Sequence, residues 1–80
     1  MIARSWTDPD MSFQTRKVLR ALMRHGFTVL REGSNHTIMR REEDGVQIAV
    51  PRHRELQRGT VRGMANDAKV DWDEFRKEVS

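Results

Sequence analysis

Apolar positions along this chain switch from a helical period to a strand period and back again. From Ser12 to about His25, Val18, Leu19, Leu22 and Met23 recur on one helical face among Arg16, Lys17, Arg20 and Arg24. This predicts a first helix with Ser12 as its N-cap and Gly26 as its C-cap. The pattern then shortens. Phe27-Thr28-Val29-Leu30-Arg31 is rich in the aromatic and β-branched residues of a strand, and Gly33-Ser34-Asn35 has turn chemistry. His36 to Arg41 reads as a second strand. Glu42-Glu43-Asp44-Gly45 ends in an Asp-Gly pair, the signal of a hairpin. Val46-Gln47-Ile48-Ala49-Val50 follows as a third strand with Val46, Ile48 and Val50 on one face, and Pro51 stops it. Short connections between consecutive strands imply an antiparallel meander.

Arg52 to Gly59 is polar and basic and is expected to be a loop. Thr60 then caps a second helix, where Val61, Met64, Ala65 and Ala68 form a stripe suited to lying flat on a sheet. Asp71 and Glu74 have the spacing of a capping box, which predicts a short last helix burying Trp72 or Phe75. Residues 1–11 read as an irregular lead-in with a turn at Asp8-Pro9-Asp10, and residues 12–80 as one domain. Trp6 in the lead-in suits either docking on the core or a partner interface. The fold class is α+β: helix, three-stranded antiparallel sheet, helix, and a short C-terminal helix. Helices on one face of such a sheet leave the opposite face, or an edge, free to bind.

Composition narrows the picture. Eighty residues leave room for one core. The absence of cysteine excludes disulfides and a thiolate zinc site. No apolar run approaches the roughly 18 residues of a membrane span, and the start lacks a signal-peptide core, so the expected location is cytoplasmic. Charge is unevenly spread. Phe13 to Arg62 holds eleven Arg and Lys against five acids, a balance of +6, whereas the last eighteen residues carry −2 and the first twelve −1. Nearly all the bases are arginine, whose planar fork matches phosphate oxygens in pairs. A solubilising surface has the same signature, so charge alone decides nothing.

The candidate chemistry centres on His36, an imidazole beside a tight turn in an arginine-rich setting. Imidazole both takes and gives a proton near neutrality. The three histidines are not at metal-ligand spacing, and Glu42-Glu43-Asp44 reads as a solvated loop. No metal site or other cofactor is therefore expected. Gly33 stands alone, so there is no glycine-rich phosphate loop, and no Ser or Cys triad suggests itself. His25 lies near a helix C-terminus, where its ring suits the dipole, and is assigned a structural role. The bases of the first helix read as a solvated face.

Four short motifs stand in order: Gly26-Phe27 opening the first strand, Gly33-Ser34-Asn35-His36 at the first hairpin, Pro51-Arg52-His53 after the third strand, and Gly59-Thr60 before the second helix. In these the chain resembles the HicA family of toxins from bacterial toxin–antitoxin pairs, over about Ser12 to Phe75. It departs from the family in its lead-in and at Ala68-Lys69-Val70, where many members have a glycine. The resemblance implies a fold like the double-stranded-RNA-binding domain and a ribonuclease that cuts messenger RNA without a metal. It also implies a partner antitoxin, HicB, that covers the site, and it makes His36 the catalytic residue.

Metal-free cleavage uses the adjacent 2′-hydroxyl as nucleophile, with a base, an acid and positive charge around the phosphate. On that reading His36 is general base or acid. Arg40, Arg52 and His53 are the candidates for phosphate contact, and Ser34 and Asn35 are secondary RNA-binding candidates in the turn. The rival readings are a non-catalytic RNA-binding module on the same scaffold, and an interaction domain whose arginines serve solubility and docking.

Overall fold

The computed structural model describes residues 12–80. Trp6 and the turn expected at Asp8-Pro9-Asp10 lie outside them. The elements run β1 (Ser12–Gln14), α1 (Thr15–Arg24), β2 (Phe27–Glu32), β3 (His36–Arg41), β4 (Gln47–Pro51), β5 (Glu55–Gln57), α2 (Arg58–Asp67) and α3 (Trp72–Val79). The architecture is α+β, with the order of the double-stranded-RNA-binding domain. The antiparallel meander is present as the three-stranded sheet β2-β3-β4.

Alternation sorts this sheet into two faces. Phe27, Met39, Ile48 and Val50 are buried beneath the helices. The intervening His36, Ile38 and Arg40 of β3 pair with Pro51, Ala49 and Gln47 of β4 on the other face, which no described element covers. On the covered side α1 packs against β2, β4 and α3. The apolar stripe of α2 is buried as expected at Val61, Met64, Ala65 and Ala68, but its main contacts are with α3, β1 and β5, and not flat across the sheet. Phe75 is fully buried, and Trp72 is half-buried with its ring edge-on to Phe13 at 6.0 Å.

The structure adds a second, two-stranded sheet in which β1 pairs with β5, placing Phe13 opposite Leu56. This moves both expected N-caps. Ser12 lies in β1 and donates its hydroxyl to the Glu55 carboxylate at 3.1 Å, while Gln14 occupies the N-cap of α1 without a side-chain cap. Thr15 finds its acceptors in the β4–β5 loop instead: its N–H donates to the Arg54 carbonyl at 3.0 Å, and its hydroxyl donates to the His53 carbonyl. Thr60 is likewise inside α2, whose N-cap is Gln57 at the end of β5. Burying the Phe13–Leu56 pair extends the chain on both sides, so each helix starts straight from a strand. The loop expected over Arg52 to Gly59 thereby shrinks to Arg52–Arg54.

At the end of α1 the C-cap is His25, with the expected Gly26 one residue beyond it at φ +94°, and Asp71 accepts the Glu74 N–H at 3.3 Å to open α3. At the far end of the β3–β4 hairpin, Arg41 joins three elements. Its guanidinium pairs with Asp44 at 2.8 Å, donates to the carbonyls of His25 (3.3 Å) and Ala68 (3.0 Å), and lies 4.7 Å from the Phe27 ring centroid. Those carbonyls cap α1 and α2, where the helix dipoles favour a cation. The hydrogen bond from Arg41 holds the Asp44 carboxyl well below the usual range, at about 2, and Asp44 in turn raises the Arg41 pKa.

Candidate functional site

The turn between β2 and β3 closes with the Gly33 N–H donating to the His36 carbonyl at 2.8 Å, which puts His36 at the first position of β3. The imidazole is exposed and has no hydrogen-bond partner among the described residues. Both ring nitrogens are therefore open to a ligand. His36 borders a shallow concavity of about 340 Å³ together with the turn residues Gly33, Ser34 and Asn35. Arg31, Ile38 and Ala49 complete its lining.

The predicted site residues divide around this concavity. Ser34 and Asn35 line it with His36. Arg52, just after β4, binds the turn: its backbone N–H donates to the Asn35 carbonyl (2.9 Å), and one guanidinium nitrogen, Nη1, donates to the Gly33 carbonyl (2.9 Å) and faces Glu32 (3.4 Å). Arg40 shares the open face with His36, four residues along β3 or roughly 13 Å away. Its head lies 3.8 Å from Glu42, a weak contact. His53 is not among the concavity's lining residues, and its carbonyl is taken by Thr15. Arg31 was missed by the sequence reading. Its side chain lines the concavity and makes no ion pair or hydrogen bond among the described residues.

A larger concavity, of about 630 Å³, lies where α1 meets β5, lined by Gln14, Thr15, Arg16, Arg54 and Glu55. It holds no imidazole, so the smaller hollow beside His36 is the chemical candidate.

Residues 15–70 match the family model described as HicA toxin of bacterial toxin-antitoxin. The chain belongs to the HicA toxin family. That membership gives it a toxin's role and implies an antitoxin partner. No curated protein matches the chain. In this HicA-family chain the matched span includes His36, the whole three-stranded sheet and α2.

One cluster of potential metal ligands was hidden by sequence distance. His25 Nε2 and carboxylate oxygens of Glu74 and Glu78 lie within 4.8 Å of one another. They belong to the helix layer, across the sheet from His36. At 2.8 Å the His25–Glu78 pair is itself a closed hydrogen bond tying the end of α1 to α3. Among the described residues no helix is long and apolar enough to cross a membrane.

Proposed function

We propose that this HicA-family chain is an endoribonuclease that cleaves messenger RNA in the cytoplasm without a metal. His36 moves the proton, residues 12–80 act as one HicA-like domain, and a HicB-type antitoxin silences the enzyme by covering the open face. The observation that carries this reading is the His36 ring, unpaired among the described residues, at the mouth of a concavity that Arg31 also lines, on a sheet face that no described element covers.

The substrate carries its own nucleophile. A ribose 2′-oxygen attacks the adjacent phosphorus while the bond to the 5′-oxygen breaks, giving a 2′,3′-cyclic phosphate and a 5′-hydroxyl. His36 either takes the 2′-hydroxyl proton or supplies one to the departing oxygen. With a single imidazole at the site, water supplies the other transfer. Cationic side chains and the turn's N–H groups balance the charge that builds on the phosphate. The 2′-hydroxyl also explains why DNA would not be a substrate.

The test is cleavage of a long single-stranded RNA in excess chelator, comparing wild type with a folded His36→Ala variant. Wild type should cut, and the variant should lose at least about 100-fold in rate. Equal cutting by both would remove His36 from the mechanism. The absence of a carboxylate orienting the His36 ring, among the described residues, favours one second reading, a non-catalytic RNA-binding module. That reading prevails if neither protein cuts and both bind RNA with steep salt dependence.

A further inference from the structure

We infer that Arg31 is the cation that holds the reacting phosphate beside His36, and that Arg52 acts one step back, fixing the turn without touching RNA. This rests on reading the open face as the RNA site.

Strand β2 is irregular. Thr28 pairs with Arg40 on the open face, and Val29 with Met39 on the covered one. Strict alternation would then carry Arg31 to the covered side, along with Val29. The register instead shifts between Val29 and Arg31, leaving Leu30 as the extra residue and Arg31 opposite Ile38. Arg31 thus rejoins the open face. A bulge of this kind bends the strand and re-aims the next side chain. Here it turns a cation toward the hollow that His36 borders.

His36 lies two positions from Ile38 on β3, so Arg31 and His36 are diagonal cross-strand neighbours, about 7–8 Å apart. That gap suits a phosphate between a guanidinium and an imidazole. Arg40 is farther along the strand.

Arg52 commits its Nη1 to Gly33 and Glu32, and Arg41 is committed to Asp44 and the two helix ends. Arg31 has no such commitment among the described residues. Its fork can give two N–H donors to one phosphate, where charge grows as the 2′-oxygen attacks. The bonds of Arg52 place the Gly33–Asn35 turn, and hence His36, which makes it a positioning residue.

The experiment uses a short RNA in chelator, and the same RNA with a 2′-deoxy sugar at the cleaved position for binding. Arg31→Met should lower kcat by about 100-fold, well beyond the several-fold rise in KM that loss of one ground-state phosphate contact brings at about 0.1 M salt. On the uncleavable RNA it should also flatten the slope of log affinity against log salt by about 0.7, the loss of one phosphate contact. Arg31→Lys should restore part of the rate. Arg52→Met should lower kcat and the melting temperature together while leaving the salt slope intact. Arg52→Gln, neutral yet able to donate to the Gly33 carbonyl, should recover most of that rate.

Wild-type cleavage with an equally active Arg31→Met would overturn the assignment of Arg31. A flattened salt slope in Arg52→Gln would overturn that of Arg52. If wild type does not cut at all, the enzyme reading fails separately, and the slopes on the uncleavable RNA still decide which arginine meets the phosphate.

Discussion

Lys69 sits at φ +61°, a left-handed conformation that costs an L residue about 1–2 kcal/mol. It does so because α2 ends there. The Val70 N–H reaches back to the Ala65 carbonyl at 2.9 Å, and the Lys69 N–H to that of Asn66 at 3.1 Å, closing the helix in the manner usually left to glycine. Lys69→Gly removes the Cβ penalty but adds backbone freedom to the unfolded chain, for a net gain of about 0.5–1 kcal/mol. The expected result is a melting temperature higher by roughly 2–8 °C, read by thermal unfolding. The site residues show the limits of local reading. The place of His36 at the start of a strand was legible because Gly33-Ser34-Asn35 marks the turn before it by chemistry alone. Arg31 was not, because Val29-Leu30-Arg31 looks like regular strand and only the pairing with β3 creates the bulge that turns it outward. Arg52 was expected to contact phosphate; the fold sets it beside the turn, where its backbone N–H and Nη1 meet the Asn35 and Gly33 carbonyls, a pairing that only the tertiary structure creates.

Between elements, the long-period signals were reliable and the three-residue strands were not. The hairpins, the α2 stripe and the α3 capping box all follow from periodicity and turn chemistry. β1 and β5 escaped because Phe13 and Leu56 are single apolar residues between polar ones, and only their pairing shows them to be strands. Arg41 is the counterpart among side chains, a cation of the basic segment that proves to be a clamp. Replacing it with Met should cost about 2 kcal/mol through lost charged hydrogen bonds to two carbonyls, measured by denaturant unfolding. Its partner Asp44 gives the clamp a pH dependence. The folded carboxyl has a pKa of about 2 against an ordinary 3.8, so its contribution is complete above about pH 4 and is lost as pH falls toward 2. Wild type should therefore melt above Asp44→Asn at neutral pH, and the gap should close between pH 4 and pH 2. A gap constant across that range would mean that the ion pair does not form in solution.

On the scale of the molecule, the basic residues divide between two sides of one sheet. Arg31 and Arg40 stand on the bare face with His36, while Arg16, Arg20 and Arg24 are exposed on α1, which packs on the covered face. A strand of RNA lying against His36 cannot also follow α1 without wrapping around the sheet's edge. Counterion release converts this geometry into a measurement, since each phosphate contact to a single strand contributes about 0.7 to the salt slope. Arg40→Gln should flatten the slope by about that amount, whereas the double variant Arg20→Gln, Arg24→Gln should leave it unchanged despite losing twice the charge. Net charge acting at long range would produce the reverse order, with the double variant losing more affinity than the single one. That outcome would place RNA on the helix layer, and the bare sheet face would then be left for the antitoxin alone.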